Sequence, residues 1–251
     1  MTDLGATPYA RITKLMDRLR TDCPWDHEQT FETIAPYTVE EAYEVMDAIN
    51  RQDMTDLKSE LGDLLFQVLF HSKIASEDGA FDFADVCDGL VEKMVRRHPH
   101  VFEGAEKPDW DAIKAAERSG KGEQKTLDGI ALSLPALLRA EKLQKRAAKK
   151  GFDWPDTDGP YEKLSEEIEE VREAVKDGDV DEIENEIGDL LFSVVNLARK
   201  LKIDPEAALR RANGKFTKRF NEVEKRAEPD LESLTLDEME ALWQAAKRDG
   251  L

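Results

Sequence analysis

The chain has 251 residues, with 36 Lys and Arg against 55 Asp and Glu, for a formal net charge of −19. That balance excludes a general nucleic-acid binder, which needs a basic face for phosphates, and suits a protein that gathers divalent cations. The longest apolar runs, such as Leu64-Leu65-Phe66, are far too short to span a membrane.

Ile12, Leu15, Met16 and Leu19 recur at helical spacing and predict a first helix over 11–20, which Cys23-Pro24-Trp25-Asp26 breaks. Thr38 is expected to open the next helix, with Glu41 three residues on completing a capping box. Asn50 to Asp53 reads as a short turn. Leu57, Leu61, Leu64, Leu65, Val68 and Leu69 then give a long amphipathic helix ending near Asp78-Gly79. Asp82 caps a helix through Leu90, Met94 and Val95, stopped by His98-Pro99. A short helix is expected over 110–117. The Gly- and Lys-rich stretch 119–125 reads as a linker.

After Pro135 the pattern restarts, with helices expected over 137–149 and 161–176 and a break at Gly151-Phe152-Asp153-Trp154-Pro155. Gly178-Asp179 turns into a helix carrying Glu186 and Asp189. Pro205 starts one running to Arg226, and Thr235 one running to about Asp249. No period-two run of strand length occurs. The expected fold is all-α, with helices of this length and short turns forming antiparallel bundles.

Glu40-Glu41-Ala42-Tyr43-Glu44, followed by Glu60-Leu61-Gly62-Asp63, returns 126 residues later as Glu166-Glu167-Ile168-Glu169-Glu170 and Glu186-Ile187-Gly188-Asp189. Gly62-Asp63-Leu64-Leu65-Phe66 returns in the same register as Gly188-Asp189-Leu190-Leu191-Phe192. The chain reads as a tandem duplication, with modules over 1–118 and 126–251 and the linker 119–125 between them.

Successive residues on an α-helix lie about 100° apart. Glu40 and Glu44 therefore stack on one face with Glu41 beside them, and Glu60 and Asp63 pair on the next helix. Set antiparallel, each pair of helices brings together the acids Glu40, Glu41, Glu44, Glu60 and Asp63, or Glu166, Glu167, Glu170, Glu186 and Asp189. Like charges so close repel unless a cation sits among them. Hard oxygen donors with no Cys or His in the motif point to Mg²⁺ or Mn²⁺ rather than zinc.

Alone, an E-E-x-x-E segment is a solvated helix face. Glu41 has a further structural reading as the capping partner of Thr38, but Glu167 follows Leu164 and has none. Gly62 and Gly188 cost about 1 kcal/mol each inside a helix, and close approach of a second helix or a ligand is the expected reason. Lys93-Met94-Val95-Arg96-Arg97 pairs with Lys215-Phe216-Thr217-Lys218-Arg219, and Trp110 with Lys114 pairs with Trp243 with Lys247. Basic residues near a helix C-terminus are favoured by the dipole in any case, and a lone tryptophan is a packing residue. Carboxylates, then cations, then an aromatic face is nevertheless the order a nucleotide needs. A di-iron oxidase would use Glu-x-x-His, and no histidine here follows that spacing.

These motifs, with Cys23-Pro24-Trp25-Asp26 through Ala48, Arg96-Arg97-His98-Pro99-His100-Val101-Phe102 and Gly151-Phe152-Asp153-Trp154, resemble the MazG family of tandem-domain nucleoside triphosphate pyrophosphohydrolases over nearly the whole chain. The resemblance implies Mg²⁺-dependent cleavage of NTPs and dNTPs to nucleoside monophosphate and pyrophosphate, in a homodimer. It also implies a cytoplasmic location, in keeping with two cysteines, Cys23 and Cys87, that make no metal spacing and a start without a signal peptide. By likeness Glu167, Glu170, Glu186 and Asp189 match the metal ligands, and Glu41, Glu44, Glu60 and Asp63 form the second cluster. Glu166 and Glu167 are the expected catalytic acids, and Lys215, Lys218, Arg219 and Trp243 the expected nucleotide contacts. The C-terminal module is the expected catalytic one. Asn185 stands where relatives can carry another acid. The competing reading is a non-catalytic helical module that senses nucleotides or docks a partner.

Overall fold

The structure, a computed structural model, describes residues 4–104, 106, 113, 117, 125–227 and 230–251. The chain divides into two compact units, Met1–Lys114 and Ala115–Leu251. The linker expected over 119–125 lies outside the described residues apart from Lys125. The helix expected over 110–117 lies outside them apart from Ile113 and Glu117. Among the described residues there is no strand, and no helix is long and apolar enough to cross a membrane.

The first unit contains α1 (Pro8–Asp22), α2 (Pro24–Glu28), α3 (Phe31–Arg51), α4 (Met54–Glu77), α5 (Phe83–Arg97) and α6 (Pro99–Phe102). Its centre is the α3/α4 hairpin. Asp53 starts α4 by accepting from the backbone N–H groups of Thr55 and Asp56, both at 3.0 Å. Met16, Ile34, Leu69, Phe70 and Ile74 form the core. Arg20 is buried beside it, its guanidinium 5.6 Å above the Phe70 ring. It pairs with Glu77 and donates to the carbonyls of His27 and Gln29, so one cation ties α1 to α4 and to the end of α2.

The start of α3 corrects the expectation at Thr38. The helix begins at Phe31, capped by Thr30: its hydroxyl accepts from the Thr33 N–H, and the Thr33 hydroxyl accepts from the Thr30 N–H at 2.8 Å. Pro36 lies inside the helix. It reads as a boundary in sequence because its ring disfavours a helical residue before it and it has no N–H, but the Thr30 cap and the buried Ile34 start the helix upstream. Thr38 instead lies 2.9 Å from His71 Nε2 and joins α3 to α4. Glu41 is therefore released from capping, and its structural reading falls away.

The second unit contains α7 (Ala136–Ala148), α8 (Asp158–Asp177), α9 (Val180–Lys200), α10 (Pro205–Arg226), a 3-10 turn (Leu231–Ser233) and α11 (Leu236–Arg248). Its α8/α9 hairpin repeats α3/α4. Gly178 closes α8 at φ +75°, a left-handed conformation that glycine adopts without strain, and Asp179 caps α9. Helix α7 packs on α9, and α10 packs mainly on α11. Thr235 and Glu238 form the capping box that starts α11. The loop before α8 is strapped to α9 by Asp153, whose carboxylate pairs with Arg199 at 2.5 and 3.1 Å and with Lys200 at 3.4 Å.

Candidate metal and phosphate site

Each hairpin gathers acids from two antiparallel helices. Glu167 of α8 and Glu186 and Asp189 of α9 each offer a carboxylate oxygen, all within 4.8 Å of one another. Glu41, Glu60 and Asp63 do the same on α3 and α4. The register that repeats in sequence thus becomes the same triad in space.

The electrostatics are those of crowded carboxylates. Desolvation, followed by the charges of Asp56, Glu44 and Asp63, pushes the Glu60 carboxyl up to about 6. Desolvation and the neighbouring acids Asp63, Glu44 and Glu40 also raise Glu41. Glu170 is raised by desolvation and by Glu167, Glu166 and Glu186, against the pull of Lys163. Glu44 and Glu170 therefore lie within reach of the triads without belonging to them. Glu167 is only 2% exposed. Its Oε1 pairs with Lys163 Nζ at 2.8 Å, and its Oε2 is buried with no partner. An orphaned carboxylate oxygen beside two further acids is a site that a hard divalent cation fits.

Lys163 is absent from the sequence expectations. It also reaches Glu166 at 2.9 Å and Glu170 at 3.8 Å, and its bonds to Glu167 and Glu166 raise its pKa. The signal available was its position one turn before Glu167, the spacing of a helical ion pair. The equivalent residue in the first hairpin is Tyr37, so the repeat is not symmetric. Glu166 pairs with Lys163 but stays 57% exposed and outside the triad.

The expected nucleotide contacts gather among themselves. The Arg219 guanidinium lies 5.6 Å over the Trp243 ring, and Phe216 packs on the same indole with ring centroids 5.2 Å apart. Arg219 also donates to the Leu251 carbonyl at 2.7 Å, while Lys215 and Lys218 are exposed on α10. The space beside the acids is formed elsewhere. A cavity of about 480 Å³ is lined by Lys163, Glu167 and Asp189 together with Gln144, Trp154 and Asn196.

The two helical glycines answer one half of the expectation, a second helix packed close, and leave the other half, a ligand, standing. A Cβ at Gly62 or Gly188 would meet nothing within 4 Å, so among the described residues no helix packs there. Leu61, Leu65 and Val68 around the first are exposed, as are Ile187, Leu191 and Val194 in the same register around the second.

A pair of repeated helical hairpins, each presenting a carboxylate triad fit for a divalent cation, defines an all-α protein with a duplicated acidic site. The chain belongs to the MazG nucleotide pyrophosphohydrolase domain family, whose model matches residues 29–102 and 160–224. It is 49% identical to a nucleoside triphosphate pyrophosphohydrolase of Escherichia coli (strain K12), over 95% of this chain and 96% of that one. It is 44% identical to a nucleoside triphosphate pyrophosphohydrolase/pyrophosphatase MazG of Thermotoga maritima, over 95% of each chain. A solved structure of a mazG-related protein from Thermotoga maritima covers 45% of this chain and 97% of its own, at 27% identity and a TM-score of 0.37.

Proposed function

We propose that the protein hydrolyses nucleoside triphosphates to nucleoside monophosphate and pyrophosphate, and that the second unit carries the reaction. The observation that carries this is the partnerless, buried Oε2 of Glu167 beside Glu186 and Asp189, in the wall of a cavity. Its support is the near full-length likeness to relatives of that name. Glu167, Glu170, Glu186 and Asp189 would hold Mg²⁺, with Mn²⁺ as a substitute. When bound, the cation offsets phosphate charge and makes the phosphorus more electrophilic. Glu166, exposed beside the triad, would take a proton from an attacking water. Lys163 supplies an ammonium at the cluster. By the family resemblance, Lys215, Lys218 and Arg219 of α10 would offset charge on the leaving pyrophosphate, although the cavity beside the acids is lined by other residues; Trp243 meets Arg219 through the contact of cation and ring. Attack would come directly from water, with no covalent intermediate, although Ser193 lines the same cavity one turn after Asp189.

The first unit keeps a triad of its own, Glu41, Glu60 and Asp63 with Glu44 beside it, and suits a second cation. The non-catalytic reading, a nucleotide-sensing or partner-docking module, is favoured for this unit by the loss of the ammonium at Tyr37. The repeated exposed stripe on α4 and α9 supports a homodimer that covers these faces; a monomeric mass by light scattering would count against it. Both cysteines are free, in keeping with the cytoplasm.

The test is incubation with NTPs with and without EDTA, followed by chromatography of the products. Pyrophosphate and NMP, lost in EDTA, are expected. Orthophosphate and NDP, or full activity in EDTA, would overturn the proposal.

A further inference from the structure

The segment between α7 and α8 is held more firmly than its packing requires. Asp153 pairs with Arg199 and Lys200 of α9, and Lys200 Nζ also donates to the Trp154 carbonyl at 2.5 Å. Arg199 is itself braced by Asn196, whose Oδ1 accepts from it at 2.7 and 3.0 Å. The hydrogen bonds from Arg199 keep the Asp153 carboxyl below its ordinary range, so the strap stays charged at neutral pH. Both cations are mostly withdrawn from water, a costly placement that their shared carboxylate offsets. Yet the loop fixed in this way buries little: Phe152 is 84% exposed and Trp154 41% exposed. Ordering a loop costs conformational entropy, and these two aromatic side chains recover little of it by burial. What the strap secures is position.

The position is that of the Trp154 indole. Its ring is seated against Gly159 in the first turn of α8, where an added Cβ would stand 2.0 Å from Cδ1 and 2.4 Å from Nε1. No side chain fits at 159 while the ring stays. Trp154 thereby enters the cavity wall that Lys163, Glu167 and Asp189 complete. The repeat supplies a control. Phe70, Lys73 and Ile74 stand 126 residues before Asn196, Arg199 and Lys200. Lys73 pairs with Asp17 of α1 at 2.7 Å, and Phe70 and Ile74 belong to the core. Among the described residues the strap is confined to the unit whose triad faces an ammonium.

We infer that Asp153 and Gly159 are positioning residues of the second site: one straps the loop, the other leaves room for the ring, and together they hold the Trp154 indole in place for the substrate. Neither belongs to the triad, and both act through Trp154. The inference rests on the hydrolytic reading of this site given above. Loosening the wall removes binding that is the same before and at the transition state, which raises KM and spares kcat.

Steady-state release of pyrophosphate from ATP in Mg²⁺ tests this. Asp153→Asn and Gly159→Ala should each raise KM about tenfold and leave kcat within about twofold. In a Trp154→Ala background both substitutions should lose their effect on KM, because changes that act through one side chain do not add. A purely structural role gives a lower Tm with KM unchanged, or the same rise in KM with and without the indole, and either result would overturn the inference. Should one single variant fail to fold by circular dichroism, the other decides with its double variant. Absence of pyrophosphate release by the wild type would sink the hydrolytic reading instead. Titration of the same variants with α,β-methylene-ATP, which cannot be cleaved between those phosphates, would then decide the positioning role by the same loss of additivity.

Discussion

Glu60 shows how a single carboxyl reports on its cluster. Its folded pKa stands near 6, above the ordinary carboxylate value, through desolvation and the charges of Asp56, Glu44 and Asp63. The folded protein therefore holds a proton that the unfolded chain gives up near 4.5. The stability this proton brings is complete below that value and is lost as pH rises through about 6. Glu41 and Glu170 are raised too, and act in the same direction. A divalent cation needs these groups ionised, so protons compete with it. The rise in Tm on adding Mg²⁺ should be small at pH 5 and should grow as pH passes through 6 to 7. An equal rise at both ends of that range would show that these carboxyls do not hold the ion. At this scale the sequence was informative where chemistry repeats. The register of Glu41, Glu60 and Asp63 against Glu167, Glu186 and Asp189 survives intact in space. Gln144 was invisible because an amide in a helix carries no signal until its partner, the Phe192 carbonyl, and its bare oxygen are both located.

Elements followed where caps and breakers were local. Asp82, Gly178-Asp179, Pro205 and Thr235 begin or end helices as their chemistry dictates. The exception is α3, whose start was masked by Pro36. The observed cap at Thr30 makes a clear distinction between two threonines eight residues apart. Thr30→Ala removes a side-chain cap and should cost about 1 kcal/mol, read as a lower midpoint in urea. Thr38→Ser keeps the hydroxyl that meets His71 and should leave the midpoint within about 0.5 kcal/mol. The reverse ranking would return the helix start to Thr38. The helical glycines do not meet a second helix of the described chain. Their cost can be read from sequence, but the open space at Gly62 and Gly188 belongs to a face that nothing within the described chain covers.

At the scale of the whole molecule, the two units are alike in hairpin and triad, and the residues around the triads set them apart. Lys163 faces the second triad where Tyr37 stands in the first, and a polar cavity at Asn196 replaces the buried Phe70 ring. A comparison of acid motifs alone treats the halves as equal, because both keep every carboxylate. The difference lies in residues whose meaning depends on what packs around them, and the proposal that the second unit turns over draws on it. The most direct measurement is pyrophosphate release by matched variants, Glu186→Gln and Glu60→Gln, each first shown to fold and to keep the mass of the wild type. Glutamine keeps the shape of the side chain and removes one metal-binding charge. Glu186→Gln should lower turnover by about 100-fold or more, the order seen when a transition-state charge stabiliser is lost, while Glu60→Gln should retain most of it. Loss of activity in Glu60→Gln with Glu186→Gln spared, or an equal halving in both, would contradict the assignment.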